Sequence, residues 1–266
     1  MPSDQIEIRV DERGGATVLR DGHPQSYVDL EDPELLVFEY VQHLAIGLDL
    51  LPPGRIGVTH IGGAGLTLAR YVHHTRPGSP QIVLEPDAAL TERIRRELPL
   101  PRGHRIRVRA IDGAGGISGL KDDSAEAIVV DAYDGGQVPG DLVGSRACAD
   151  YARVLGSGLL LLNLADEPGL HHLARVAATV RQSLPHTALI STHEVLKGKR
   201  YGNLVLLASR QPLDERELRR RAASAAIPTG VRGADALAAL TRTARPFDEI
   251  GDPSPVPPDP GRWRLR

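Results

Sequence analysis

The sequence predicts an α/β protein in which helices cover a mostly parallel seven-stranded sheet, with a small antiparallel β meander at its front. Three observations carry this. Short apolar runs alternate with amphipathic helical patterns from Arg55 onward, the order expected of strand–helix–strand units. Before them, polar and apolar positions alternate around glycine-bearing turns, as in hairpins. Aromatic residues make up only 3% of the chain. Leu, Val, Ile and Ala must therefore fill the interior, which suits strands buried on both faces.

In chain order, residues 6–10, 16–20 and 25–29 form the meander, turning at Arg13-Gly14-Gly15 and Asp21-Gly22. Asp32-Pro33-Glu34 predicts a helix start, with a capping carboxylate, a first-turn proline and an early acid. That helix extends to about Leu50, where Pro52-Pro53-Gly54 closes it. Strands are expected at 56–61, 81–85, 106–111, 127–130, 158–164, 187–191 and 204–208. Helices are expected at 66–74, 88–98, 142–155 and 170–184, with two shorter ones at 213–225 and 234–243. Only a loop joins the last two strands, so the final one is free to lie antiparallel. Residues 246–266 carry six prolines and predict a PPII-like or disordered tail. The chain thus divides into residues 1–50 (meander and helix), 51–245 (the sheet domain) and 246–266 (the tail).

Charge excludes some functions. Thirty-two basic residues against 34 acidic ones leave a net charge of −2, with no bias toward nucleic acid or an anionic membrane surface. One cysteine, Cys148, rules out an intrachain disulfide framework and a multi-Cys zinc site. No apolar run approaches the ~20 residues of a membrane span. The first residues lack the basic-then-apolar layout of a signal peptide, so a cytoplasmic location is expected. His73-His74 and His171-His172 are adjacent pairs whose members point to different helix faces, so no metal site is expected.

The residues that carry chemistry sit at strand ends. His60-Ile61-Gly62-Gly63-Ala64-Gly65-Leu66-Thr67 follows the first strand of the sheet domain and opens a helix. Small residues there let backbone approach a ligand at the helix N-terminus. Glu85 ends the second strand, where an acid can accept both ribose hydroxyls. Asp112-Gly113 ends the third and Asp131 the fourth. A nicotinamide dinucleotide fits less well, because the G-x-G-x-x-G spacing is broken after Gly65. The pattern fits an S-adenosylmethionine-type nucleoside site, against the alternative that the acids only cap helices. In Ile128-Val-Val-Asp131-Ala-Tyr-Asp134-Gly135-Gly136, a buried strand ends in two carboxylates and a flexible loop. Those carboxylates could handle an amine, hold a cofactor or cap the next helix.

Together with Leu19-Arg-Asp21-Gly22-His-Pro-Gln25-Ser26 and Phe38-Glu-Tyr40, these motifs resemble the spermidine synthase (polyamine aminopropyltransferase) family. The resemblance is to its actinobacterial spermidine-synthase-like branch and spans roughly residues 10–209. Asp131-Ala-Tyr-Asp134 matches that family's D-x-x-D signature. The resemblance implies a methyltransferase-like Rossmann domain and a homodimer, the latter also suggested by the open strand edges of the meander. It implies Asp131 as general base, with Asp134 the second catalytic carboxylate. Gln25, Gly62, Gly63, Gly65, Glu85, Asp112 and Gly113 would hold the donor, S-adenosylmethionine or its decarboxylated form. Tyr40, Gln42, Tyr133 and Tyr201 would line the side of a small amine acceptor such as putrescine, with no metal. Aminopropyl transfer needs a group to bind a protonated amine and take its proton, and strand-end carboxylates can do both.

Three positions depart from the family pattern. The glycine loop lacks an acid, Val41-Gln42 replaces a His-Glu pair, and Gly135 replaces a proline. A methyltransferase on the same scaffold, or a nucleoside-binding paralogue without turnover, are the alternative readings. Arg200-Tyr201-Gly202-Asn203 could form an opposite wall, where a basic residue would suit a donor that keeps its carboxylate. His60 reads as a core histidine, Cys148 as buried and inert, and Arg216–Arg221 as a solvated helix face.

Overall fold

The computed structural model describes residues 5–258, and expectations for residues 1–4 and 259–266 fall outside them. The meander is present as β1 (Ile6–Val10), β2 (Ala16–Arg20) and β3 (His23–Val28), paired antiparallel in that order. The chain continues through α1 (Glu39–Leu48), β4 (Val58–Ile61), α2 (Thr67–Thr75), β5 (Gln81–Leu84) and α3 (Ala88–Glu97). Then come β6 (Ile106–Arg109), α4 (Gly113–Ser118), β7 (Ala127–Val130), α5 (Ser145–Leu155) and β8 (Leu159–Asp166). The remainder is α6 (His171–Val180), β9 (His186–Thr192), α7 (His193–Leu196), β10 (Gly202–Ser209), α8 (Glu215–Ala223), β11 (Thr229–Arg232) and α9 (Ala234–Thr241).

The large sheet runs β11-β9-β10-β8-β7-β4-β5-β6. The segment β8-β7-β4-β5-β6 is parallel, and β10 inserts antiparallel between β8 and β9. All seven expected strands form. An eighth, β11, adds antiparallel to β9. Its sequence, TGVR, is too short and too polar to show a strand period, and the exposed edge of β9 recruits it. Strand side chains feed two cores. Ile128 and Val130 of β7 face one cluster, Ala127 and Val129 the other, and this two-sided burial explains the unbroken apolar runs. A third cluster joins the meander to α2, α3 and β5 through Val18, Val28, Ala69, Val83, Leu90 and Ile94.

Helix α1 starts at Glu39 rather than near Asp32. The Asp29 carboxylate accepts N–H bonds from Glu31 and Asp32, and Asp32 accepts one from Glu34, so local side-chain turns outcompete a helix there. Its end is fixed by Arg76 at the close of α2, whose guanidinium donates to the carbonyls of Leu48, Leu51, Pro52 and Gly54. Helix α4, hidden in sequence by glycines, forms because Asp112 caps it through Gly115 N–H at 2.7 Å.

The expected disordered tail is corrected over its described part. Residues 246–258 have no regular secondary structure, but Phe247 and Ser254 are buried. Phe247 N–H donates to Thr179 Oγ1 and Ser145 N–H to Asp248 O, each at 2.8 Å. Proline leaves this segment little conformational freedom to lose on docking, and its carbonyls satisfy donors of the loop between β7 and α5. Among the described residues no helix is long and apolar enough to cross a membrane.

Candidate active site

The site is built where the strand order reverses. From β4 the chain moves outward to β5 and β6, then returns to β4's other side with β7 and β8. The carboxyl ends of β4 and β7 therefore open a crevice, the usual ligand position in such sheets. Gly62 follows β4 and Asp131 follows β7, and they lie together: Asp131 N–H donates to Ile61 O at 2.8 Å. Gly62 has φ +80° and a β-carbon there would overlap the Asp131 carbonyl oxygen, so only glycine fits.

Asp131 is half-buried and wired into an amide network. Asn163 on β8 donates from Nδ2 to Asp131 Oδ1 at 2.8 Å. Asn203 on β10 donates to Asn163 Oδ1 at 3.1 Å and to the Tyr133 hydroxyl at 3.0 Å, and that hydroxyl donates to Asn163 O at 3.3 Å. Burial pushes the Asp131 carboxyl from 3.8 up to about 6, opposed by the Asn163 hydrogen bond. Burial, and then the charge of Asp131, also hold the Tyr40 and Tyr133 phenols well above 10. Tyr40 donates to Gln25 O at 3.4 Å, and Tyr201 to Pro255 O at 3.3 Å. Three phenols and one carboxylate with a raised pKa thus gather at one end of the crevice.

The residues expected on the donor side lie around the glycine loop. Glu85 accepts from Gly63 N–H at 3.1 Å and Asp87 N–H at 3.0 Å, which closes the glycine loop onto β5. Gly65 N–H donates to Ser26 Oγ at 2.9 Å, so the meander braces that loop from outside. Asp112 caps α4, and Gly113 packs against Ile61 and Leu142. A carboxylate has about four acceptor positions, so these backbone bonds leave room on Glu85 and Asp112 for ligand hydroxyls. The Gln25 side chain turns to His23 O.

Other residues fall elsewhere. Asp134 is exposed and belongs to a two-residue hairpin closed with Gln137, turning through Gly135 and Gly136 at φ +55° and +80°. Gln42 spends its amide on Leu36 O at 2.6 Å. Arg200 is paired with Glu39 and Glu194, which neutralises much of the charge that a donor carboxylate would meet. His43 faces Thr229 of β11, away from the crevice. His60 is buried against Gln81 at 2.8 Å, and Arg219–Arg221 form ion pairs along α8. Among the described residues no cluster of His, Cys, Asp or Glu could hold a metal.

Asn163 escaped the sequence reading, although a lone amide inside Leu159–Leu164 was its signal. Asp166 also did. It is buried at the end of β8 and accepts from Glu167 and Leu173 N–H at 2.8 and 2.7 Å.

No protein-family profile matches the sequence, and no curated protein matches it. Solved structures do. A probable spermidine synthase from Corynebacterium glutamicum superposes with a TM-score of 0.85 at 25% identity, covering 91% of this chain and 92% of that one. The spermidine synthase of Thermotoga maritima gives 0.59 at 16% identity, covering 89% and 80%. Human methyltransferase-like protein 13, solved with SAH, gives 0.57 at 21% identity, covering 80% and 96%. The chain is therefore spermidine-synthase-like in architecture over nine-tenths of its length, on an α/β scaffold shared with methyltransferases.

Proposed function

We propose that this protein is a transferase that binds an S-adenosyl-type sulfonium nucleoside and transfers an aminopropyl group to a small amine, with Asp131 as general base. The observation that carries it is the Asp131 carboxyl, raised to about 6 at the carboxyl end of a strand beside the switch point. A further support is the likeness to spermidine synthases, one of which was solved with the transition-state analogue AdoDATO.

The residues present suit the parts of the reaction. The glycine loop and the α2 N-terminus face the nucleoside. Glu85 receives ribose hydroxyls, with Asp112, Gly113 and Gln25 around the base and sugar. An alkylammonium, with a pKa near ~10.4, binds against the Asp131 carboxylate and between the faces of Tyr40, Tyr133 and Tyr201. The bound ammonium first passes one proton to Asp131, which frees the nitrogen lone pair. As that nitrogen bonds to the carbon beside sulfur, the carbon–sulfur bond breaks, its electron pair stays on sulfur as a neutral thioether, and the positive charge passes to the product's secondary ammonium. A carboxyl at about 6 is a stronger base than one at 3.8 and is still ionised at neutral pH.

The test compares donors. Calorimetric binding of S-adenosylmethionine, its decarboxylated form and methylthioadenosine is followed by a putrescine turnover assay. Preference for the decarboxylated donor with turnover supports the reading. Preference for the intact donor moves it to a methyltransferase, and binding of none refutes the nucleoside site. Asp131→Asn should abolish turnover while donor affinity persists. The expected homodimer is read separately by light scattering.

A further inference from the structure

The loop that follows Asp131 is held from outside by the end of the chain. Val138 N–H donates to Ser254 Oγ at 2.9 Å, and Ser254 N–H returns a bond to Val138 O at 3.1 Å. The Gln137 side-chain amide donates to Ser254 O. Gly251 N–H donates to Gly140 O at 2.9 Å, and Pro257 lies against Gly136. Pro255 O, one residue past Ser254, accepts the Tyr201 hydroxyl. At its base this strap is anchored to α6 by Arg175, which stacks 3.9 Å over the Phe247 ring and bonds Asp252 at 2.7 Å. Ser254 and Val138 are both wholly buried, so the pair of hydrogen bonds between them is shielded from water.

We propose that the strap, residues 246–258, latches the loop over the candidate site, with Ser254 as the positioning residue that sets the loop and Tyr201 together. The loop begins three residues after Asp131, and Tyr201 lies two residues before Asn203, which donates to the Tyr133 hydroxyl. One strap residue therefore fixes the loop backbone while its neighbour fixes a wall of the acceptor space. Acceptor entry requires the Ser254–Val138 contact to open, and its reclosure shuts water out of the crevice. The effect on acceptor binding rests on the function proposed above; the hold on the loop does not.

Hydrogen exchange on the full chain separates the two. In Ser254→Ala, peptides covering residues 135–142 should exchange roughly five- to tenfold faster, the loss of one net hydrogen bond, while β7 keeps its protection. The acceptor KM should rise by a similar factor, with kcat and donor affinity changed less than about twofold. Gln137→Ala, which removes a bond from the exposed side of the loop, should give the same pattern more weakly and serves if Ser254→Ala does not fold. Unchanged exchange in the loop, or an equal rise in β7, overturns the latch. Faster loop exchange with an unchanged acceptor KM overturns its role in acceptor entry. A wild-type protein that binds no sulfonium donor refutes the proposed function instead, and the exchange result still decides the latch.

Discussion

Replacing Asp131 with asparagine should stabilise the protein at alkaline pH while destroying its activity. The carboxyl is moved from its ordinary 3.8 to about 6, chiefly by burial, so the folded state prefers it protonated. The folded protein then binds more protons than the unfolded chain between about pH 4 and 6, and stability falls as pH rises through that window. At 1.36 kcal/mol per pH unit, the buried charge costs at most about 3 kcal/mol above pH 7. Partial exposure of the side chain reduces this, so about 1–3 kcal/mol is expected. Asparagine keeps an oxygen for Asn163 Nδ2 and carries no charge. The variant should therefore match the wild type near pH 3.5 and exceed it at pH 8 by that amount. For a chain of this size that is a rise of about 2–5 °C in Tm. Thermal melts at both pH values, with urea titrations at pH 8, measure it. Equal stability differences at the two pH values would refute the claim that Asp131 carries a penalised charge.

Three other outcomes follow from the same geometry. Gly62→Ala must place a β-carbon against the Asp131 carbonyl at φ +80°. It should cost roughly 3 kcal/mol or more and abolish donor binding in calorimetry, since neither backbone can retreat. Asn163→Leu removes the bond that lowers the Asp131 pKa. The acidic limb of the pH–rate profile should move up by roughly one unit, and a limb left in place would exclude Asp131 as the titrating base. Cys148 is buried with its thiol pushed up to about 12. Alkylation at pH 8 should be about a thousandfold slower than for a free thiol until the protein is unfolded.

The meander and the first seven strands of the large sheet were legible because their signals are local. Period-two alternation, glycine turns and apolar runs bounded by helix caps depend on residues near one another in sequence. The strand-end positions of Gly62, Glu85, Asp112 and Asp131 followed from the same alternation, since an α/β chain delivers each strand end to one rim of the sheet. What tertiary structure decided depends on contacts between distant residues. Nothing local to Thr229–Arg232 marks a strand; the free edge of β9 makes it one. Nothing local to Pro246–Pro257 orders it; donors on residues 137–145 do. The two aspartates looked alike in sequence, yet burial beside Asn163 raises Asp131 while a glycine hairpin leaves Asp134 in solvent. Sequence alone determined which residues reach the rim. Only the packing of β8 and β10 around that rim determined which carboxylate would feel a dry environment, because desolvation is set by the groups packed against a residue and not by its neighbours along the chain.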